Sequence, residues 1–240
     1  YIYFKNLAKQ ATVNTPLLID ISNAYDGFNR HLNLSPFLAC LLGSIGIPTV
    51  VHGCHAVAPK MGVTPHKIFE KAKKNTVMSI EKVVEEIENP KIGWGYIDQA
   101  EYFPELHALS KFREEMIKRP MIATLEKLLL PIKSNQTNIM VTGYTHRPYL
   151  GKMTALLRGN KDIHKFIVAR GTEGSSQLSL DRKSPYNYYD GTTVEQKDIK
   201  AEDLHFSSIQ RLLPNTELTA KDSLNAGLSA FNNKNESNEK

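Results

Sequence analysis

Leu17-Leu-Ile-Asp-Ile21 and Pro48-Thr-Val-Val-His52 are short aliphatic and β-branched runs, and what lies between them decides the fold. Such side chains favour strands, and each run ends in turn formers: Ser22-Asn-Ala-Tyr-Asp-Gly27 after the first, Gly53 and its neighbours after the second. Between them Ser35-Pro36 opens an apolar segment to Leu42, with Ser at a capping position and Pro where a helix has no use for its N–H. Gly43 and Gly46 close that segment. Strand, loop, helix and strand make a βαβ unit, and two uninterrupted apolar runs suit a parallel sheet covered on both faces.

Working outward, Thr64-Pro65 predicts a helix to about Lys74, and residues 76–88 carry Val77, Ile80, Val83, Val84 and Ile87 at helical spacing. Gly93-Trp-Gly-Tyr-Ile97 reads as a short strand, and Phe103-Pro104 starts a helix through Lys118. After Arg119-Pro120 an apolar helix is expected to about Leu130, where Pro131 ends it. Asn138-Ile-Met-Val-Thr142 and Lys165-Phe-Ile-Val-Ala-Arg170 are later strands, separated by a helix near Leu150 to Arg158. Both run into Gly-containing loops, where open α/β sheets bind ligands. The expected class is α/β, with a mostly parallel central sheet flanked by helices. From Asn232 onward the Asn, Lys, Glu and Ser content reads as a disordered tail.

The 240 residues are 41% hydrophobic and 23% charged, enough apolar material for a full core. The longest apolar stretch, Phe37 to Val51, is broken by Gly43, Ser44, Gly46 and Pro48, short of the roughly 20 apolar residues a membrane helix needs. No membrane insertion is expected. Cys40 and Cys54 form neither a disulfide framework nor a metal spacing, which fits a reducing compartment, the cytoplasm or a plastid stroma. The chain starts at Tyr1, and further sequence is expected upstream. A formal charge of +5 favours a polyanionic partner, because phosphates reward Lys and Arg through charge pairing and counterion release.

Three segments are candidate sites. The loops after the first two strands offer Asp26, Gly27, Asn29, Arg30, Asn33 and Ser35 on one side and Gly53, Lys60 and Gly62, with His52 and His55, on the other. Glycines let backbone N–H groups approach an anion and polar side chains finish the cradle, although the same residues also serve as plain turn formers. Around one helix junction Arg113, Lys118, Arg119 and Lys127 could fork onto a carboxylate or phosphate, or simply solvate a helix end. The loop Arg170-Gly-Thr-Glu-Gly-Ser-Ser-Gln177 holds one carboxylate, Glu173, where a phosphate-bridging magnesium typically recruits one or two, and no metal ligands are assigned. The eight histidines show no HExxH spacing, and no GxSxG accompanies them, which argues against zinc and serine hydrolases.

In this order the motifs resemble the anthranilate phosphoribosyltransferase family (glycosyltransferase family 3). Asp20-Ile21 through Asp26-Gly27 is similar to the segment carrying that family's Gly-Thr-Gly-Gly-Asp loop, with Asn23-Ala-Tyr in place of glycines. Asn33-Leu-Ser35 resembles Asn-x-Ser-Thr, Val51-His-Gly-Cys54 resembles Lys-His-Gly-Asn, and Lys60-x-Gly62 is a retained pair preceded by Ala58 and Pro59 in place of serines. Phe112-Arg113 and Lys118-Arg119-Pro120 resemble the arginines around the anthranilate site, and Leu224-Asn-Ala-Gly-Leu a late helix. The acidic magnesium pair is replaced within Gly171 to Gln177. The wording from Arg119 is closest to a divergent TrpD-like branch.

The resemblance implies the nucleoside phosphorylase and phosphoribosyltransferase fold: a large α/β domain in two parts, residues 1–74 and 119–231, around a truncated helical domain near 75–118, dimerised through the helical part. It implies phosphate or phosphoribosyl pyrophosphate contacts from Asp26, Gly27, Asn33, Ser35, His52, Gly53, Lys60 and Gly62, and acceptor contacts from Arg113 and Arg119. Magnesium is implied only together with phosphoribosyl pyrophosphate. The expected function is a transferase-like protein binding a phosphorylated small molecule. Nucleic-acid binding without transfer, which some relatives perform along a basic surface, and a structural or regulatory subunit are the alternatives.

Overall fold

Adjacent Val50 and Val51 are both fully buried, and since successive strand side chains point to opposite faces, the sheet that holds them must be covered on both sides. The computed structural model describes residues 1–116, 118–206 and 217–232. Helix α1 (Ile2–Leu7) and strand β1 (Ala11–Val13) lead into β2 (Leu17–Ser22), α2 (Ser35–Ser44) and β3 (Thr49–Gly53). Strands β2 and β3 pair in parallel with Ile19 opposite Thr49 and Ser22 opposite His52, so the expected βαβ unit is present. Helices α3 (Pro65–Lys71) and α4 (Ile80–Glu88) start at side-chain caps, Thr64 Oγ1 accepting from the Lys67 amide and Ser79 from that of Lys82.

Strand β4 (Trp94–Asp98) is followed by three short helices, α5 (Gln99–Tyr102), α6 (Pro104–His107) and α7 (Ser110–Glu115), then by α8 (Ile122–Leu125) and a 3-10 turn at Glu126–Leu128. The remainder is β5 (Ile132–Ser134), β6 (Thr137–Gly143), α9 (Pro148–Arg158), β7 (Lys165–Ala169), β8 (Ser184–Tyr189), β9 (Val194–Ile199) and α10 (Ala220–Asn232). The main sheet has the order β4-β3-β2-β6-β7-β8-β9, parallel from β4 to β7 and antiparallel beyond, while β1 and β5 form a separate parallel pair. From β2 the chain builds outward to β4, then crosses back and builds the other way from β6. The direction of winding therefore reverses between β2 and β6.

One face packs α4 (Ile80, Val83, Ile87) against Leu18, Val50 and Ile97. The opposite face packs Ala39 of α2 with Ile21, Val51 and Tyr96. Around β6 and β7, Met153 and Leu157 of α9 pack with Met140, Phe166 and Val168.

Three expected elements are redrawn. Residues 75–118, expected as a helical insertion, supply β4 to the sheet, and α4 packs on that strand. The single helix from Phe103 to Lys118 is two short helices, with the Ser110 hydroxyl donating to the His107 carbonyl at the break. The helix after Pro120 stops at Leu128, because Leu128 and Leu130 join one core cluster while Leu129 joins another, which requires an extended backbone rather than one helical face. Of the expected tail, Asn232 ends α10 and residues 233–240 lie outside the described residues. No helix among the described residues is long and apolar enough to cross a membrane.

Candidate functional site

Where winding reverses, the loops leaving two neighbouring parallel strands diverge and open a crevice at the carboxyl edge. A cavity of about 460 Å³ occupies that crevice between β2 and β6. Ala24 and Asp26 line it from the β2 loop, and Tyr144, Thr145 and His146 from the β6 loop. Arg119, Pro120, Ala123 and Thr124, at the entry to α8, form a third wall, and Lys127 and Gly174 also reach it.

The charges in this cavity are unevenly matched. Arg119 Nη2 donates to the buried Asp26 carboxylate. The Lys127 ammonium is buried, donating to the carbonyls of Gly143 at 2.5 Å and Gly174 at 2.9 Å, without a carboxylate in ion-pair range among the described residues. Burial, reinforced by the Arg119 cation, brings the Lys127 pKa down to about 8. Lys60 lies at the rim, 3.9 Å from Asp26, where its Nζ donates to the Gly27 carbonyl at 2.7 Å and to Glu173 Oε2 at 2.9 Å. Two cations, Arg119 and Lys127, thus line the cavity with one carboxylate, Asp26, which pairs with Arg119 and not with Lys127.

Glu173 reaches across from the loop after β7 in the left-handed region, φ +52°. Its carboxylate accepts from the Arg30 amide at 2.8 Å, the Asn29 amide at 3.1 Å and His31 Nδ1 at 3.1 Å, besides Lys60. Burial raises its pKa, yet the Lys60 ammonium and the Arg30 and Asn29 amides outweigh burial and hold it near 2.

The other residues singled out in the sequence are engaged elsewhere. Gly27 has φ +76°, and a Cβ there would lie 2.6 Å from the Gly62 carbonyl carbon, while one on Gly62 would lie 2.7 Å from the Phe28 carbonyl oxygen. These two glycines let the β2 and β3 loops pack backbone to backbone, bridged by Phe28 and Val63. Asn33 Nδ2 donates to the Val63 carbonyl at 3.0 Å, its amide donates to Ser223 Oγ on α10, and its Oδ1 accepts from Ser35 Oγ at 2.5 Å. Gly53 ends β3 outside the cavity lining. His52 is wholly buried: Nε2 donates to Asp20 at 2.9 Å, which leaves Nδ1 to accept from the Tyr25 hydroxyl, itself bonded to Tyr102. Burial raises the Asp20 pKa and pushes both tyrosines well above their usual range. Arg113 is buried in a two-point pair with Glu126, at 2.8 and 3.1 Å, and Gln99 adds a third donor to that carboxylate at 3.1 Å. Of the expected arginine pair, therefore, Arg119 lines the cavity and Arg113 does not.

The residues present do not fit a phosphate-bridging magnesium. In the loop where the resemblance expects an acidic pair, Gln177 bonds the Leu32 carbonyl and the Leu34 amide, and Ser175 Oγ donates to Thr172. The nearby carboxylates, Asp26 and Glu173, are held by Arg119 and Lys60.

Tyr144, Thr145 and His146 line the cavity without having been singled out in the sequence. Lys127 stood out only as a member of the basic group, and the β6 residues carry just the signal of a strand running into a Gly-containing loop. A second cavity, about 550 Å³, adjoins the first through Tyr144 and is lined by Arg147, Arg170, Lys183 and Asp198, the last two paired at 2.7 Å.

No protein-family model matches the chain. An uncharacterized protein of Aquifex aeolicus (strain VF5) is 27% identical over 198 residues, 80% of this chain and 58% of that protein. The uncharacterized protein YbiB of Escherichia coli (strain K12) is 25% identical over 179 residues, 70% of this chain and 50% of that protein. The chain spans about half the length of these curated relatives. Among solved structures, anthranilate phosphoribosyltransferase (TrpD) from Thermus thermophilus superposes with a TM-score of 0.69 at 18% identity, over 94% of this chain and 64% of that one. The Saccharomyces cerevisiae enzyme in complex with PRPP and Mg gives 0.73 at 13% identity, over 95% and 60%. These superpositions show that the chain has the fold of the anthranilate phosphoribosyltransferases.

Proposed function

We propose that the protein binds a phosphorylated small molecule of the phosphoribosyl pyrophosphate class in the cavity between β2 and β6, with lysine and arginine neutralising the phosphates in place of magnesium. The observation that carries this reading is the cation excess: Arg119 and Lys127 line the cavity with one carboxylate between them. Arg119 is partly exposed, and a guanidinium has five N–H donors, so it can keep Asp26 and still fork onto a phosphate. Lys127 adds a point charge from the side of β6. The yeast enzyme that superposes on the chain was solved with PRPP and Mg, which supports the ligand class. Calorimetric titration with phosphoribosyl pyrophosphate, run with magnesium and again with a chelator, tests the reading. Saturable binding of similar strength in both is expected; no heat at millimolar ligand in either, or binding only with magnesium, contradicts it.

Arg147, Arg170 and Lys183 favour a second reading, a longer polyanion such as single-stranded nucleic acid running from one cavity to the next. Binding of an oligonucleotide through Arg147, Arg170 and, once it leaves Asp198, Lys183 should weaken by roughly 0.7 log units per contact for each tenfold rise in salt. A flat salt response removes this reading and leaves the first untouched.

A further inference from the structure

Glu173 reaches from the loop after β7 to fill a cradle it does not itself belong to. Two successive backbone N–H groups, Asn29 and Arg30, converge with the His31 imidazole and the Lys60 ammonium on one carboxylate, all within 3.1 Å. Consecutive amides plus an ammonium make up the donor set that binds phosphate oxygens in backbone nests. The cradle borders the cavity: Asp26 and Pro59, which line it, immediately precede Gly27 and Lys60, and Gly174, also on the lining, follows Glu173. Glu173 holds its seat from a positive φ, a conformation non-glycine residues seldom adopt.

We propose that the Asn29–Arg30–His31–Lys60 cradle is a phosphoryl subsite continuous with the cavity, and that Glu173 is its built-in, displaceable occupant, so that a diphosphate binds by expelling the carboxylate. This rests on the reading of the cavity as a phosphate site and adds its regulation. The Glu173 side chain is about one-tenth exposed, and in this proposal it leaves the cradle by rotation about its own bonds. The loop has a brace independent of that carboxylate, Ser175 Oγ donating to the Thr172 carbonyl at 2.8 Å. A carboxylate carries one negative charge and a terminal phosphoryl group nearly two, so the same four donors favour the incoming anion once Arg119 and Lys127 hold its other end. The exchange makes affinity lower than the donor set alone would give. Removing the occupant should therefore tighten binding.

Inorganic pyrophosphate is titrated calorimetrically onto the wild-type chain, Glu173→Ala, Glu173→Gln, Lys60→Ala and Arg119→Ala, with amide NMR shifts of Asn29 and Arg30 followed in parallel. Glu173→Ala is expected to bind about tenfold more tightly and Glu173→Gln several-fold, while Lys60→Ala weakens binding by a similar factor. The Asn29 and Arg30 amides should shift on addition of pyrophosphate. Wild-type binding that Arg119→Ala weakens but neither Glu173 variant strengthens, with those two amides unmoved, overturns the displaceable occupant and leaves the cavity reading standing. No binding to any variant overturns both. If Glu173→Ala fails to fold, Glu173→Gln, which keeps the shape and loses the charge, decides the matter alone.

Discussion

At the carboxyl edge of the sheet, the β3–β4 side and the β2–β6 crevice are both rich in polar side chains but dispose of them in opposite ways. On the β3–β4 side His52 pairs with Asp20 and Tyr25, and His66 pairs with Asp98 at 2.7 Å and Thr76 at 2.9 Å. The Arg113–Glu126 pair is likewise buried, with Gln99 also donating to the carboxylate. These groups are buried and bonded to one another within the protein, although Asp20 Oδ2 and Arg113 Nε have no partner among the described residues. In the crevice Asp26 pairs with Arg119, Lys127 is held only by carbonyls, and open volume lies beside them. Matched, buried charge holds a fold together; surplus charge on a cavity wall is available to a ligand. Which motif residues fall on which side cannot be judged from residue type.

The largest effect that could break this comparison is at Arg113. Arg113→Met leaves Glu126 as a buried, uncompensated carboxylate, and unfolding in urea should show a loss of about 3–5 kcal/mol, with the double change Arg113→Met, Glu126→Leu recovering most of it. If Arg113→Met instead leaves stability unchanged and weakens pyrophosphate binding, Arg113 belongs to the ligand side. His52→Leu comes next: Asp20 loses its partner and about 3 kcal/mol should go, measured again by urea unfolding, with anion affinity in the folded protein within twofold of wild type. Arg119→Ala should behave in reverse, changing stability by less than about 1 kcal/mol because its pair is partly exposed, while weakening pyrophosphate roughly tenfold.

The smallest expected effect is a pH dependence. Lys127 is cationic below its pKa of about 8 and neutral above it, so anion affinity should fall as pH rises through 8. Lys127→Met should flatten that profile. For stability the sign is opposite: a lysine whose folded pKa lies below its unfolded 10.5 binds its proton less well when folded, so this group disfavours the fold below about 8 and the penalty fades between about 8 and 10.5. A wild-type affinity independent of pH from 7 to 9 would remove Lys127 from the binding surface.

Much of the frame was legible because it rests on local chemistry. The β2 and β3 runs, the Ser35-Pro36 helix start, the Thr64 cap and the β6 and β7 strands are all set by residue type over a few positions. The β8–β9 hairpin was missed: its strands are polar and tyrosine-rich, and its one strong cue is Asp190-Gly191, where Asp190 Oδ1 accepts from the Thr192 amide at 2.7 Å and the Thr193 amide at 2.9 Å. The site was legible in part. Asp26 and Arg119, both singled out in the sequence, line the cavity, but they meet across 93 residues, and no local signal separates Arg119 from Arg113. Asn33, Ser35, Gly27 and Gly62 are fixed by contacts between loops, and those contacts exist only once β2 and β3 are paired. The role of Glu173 is farther still from sequence, since its partners lie more than 100 residues away.

A crystal structure grown with inorganic pyrophosphate tests the central claim most directly. The account expects an ordered anion in the crevice between β2 and β6, bonded to Arg119 and Lys127. Pyrophosphate absent from that crevice at saturating concentration, or ordered only on surface lysines elsewhere, would contradict it.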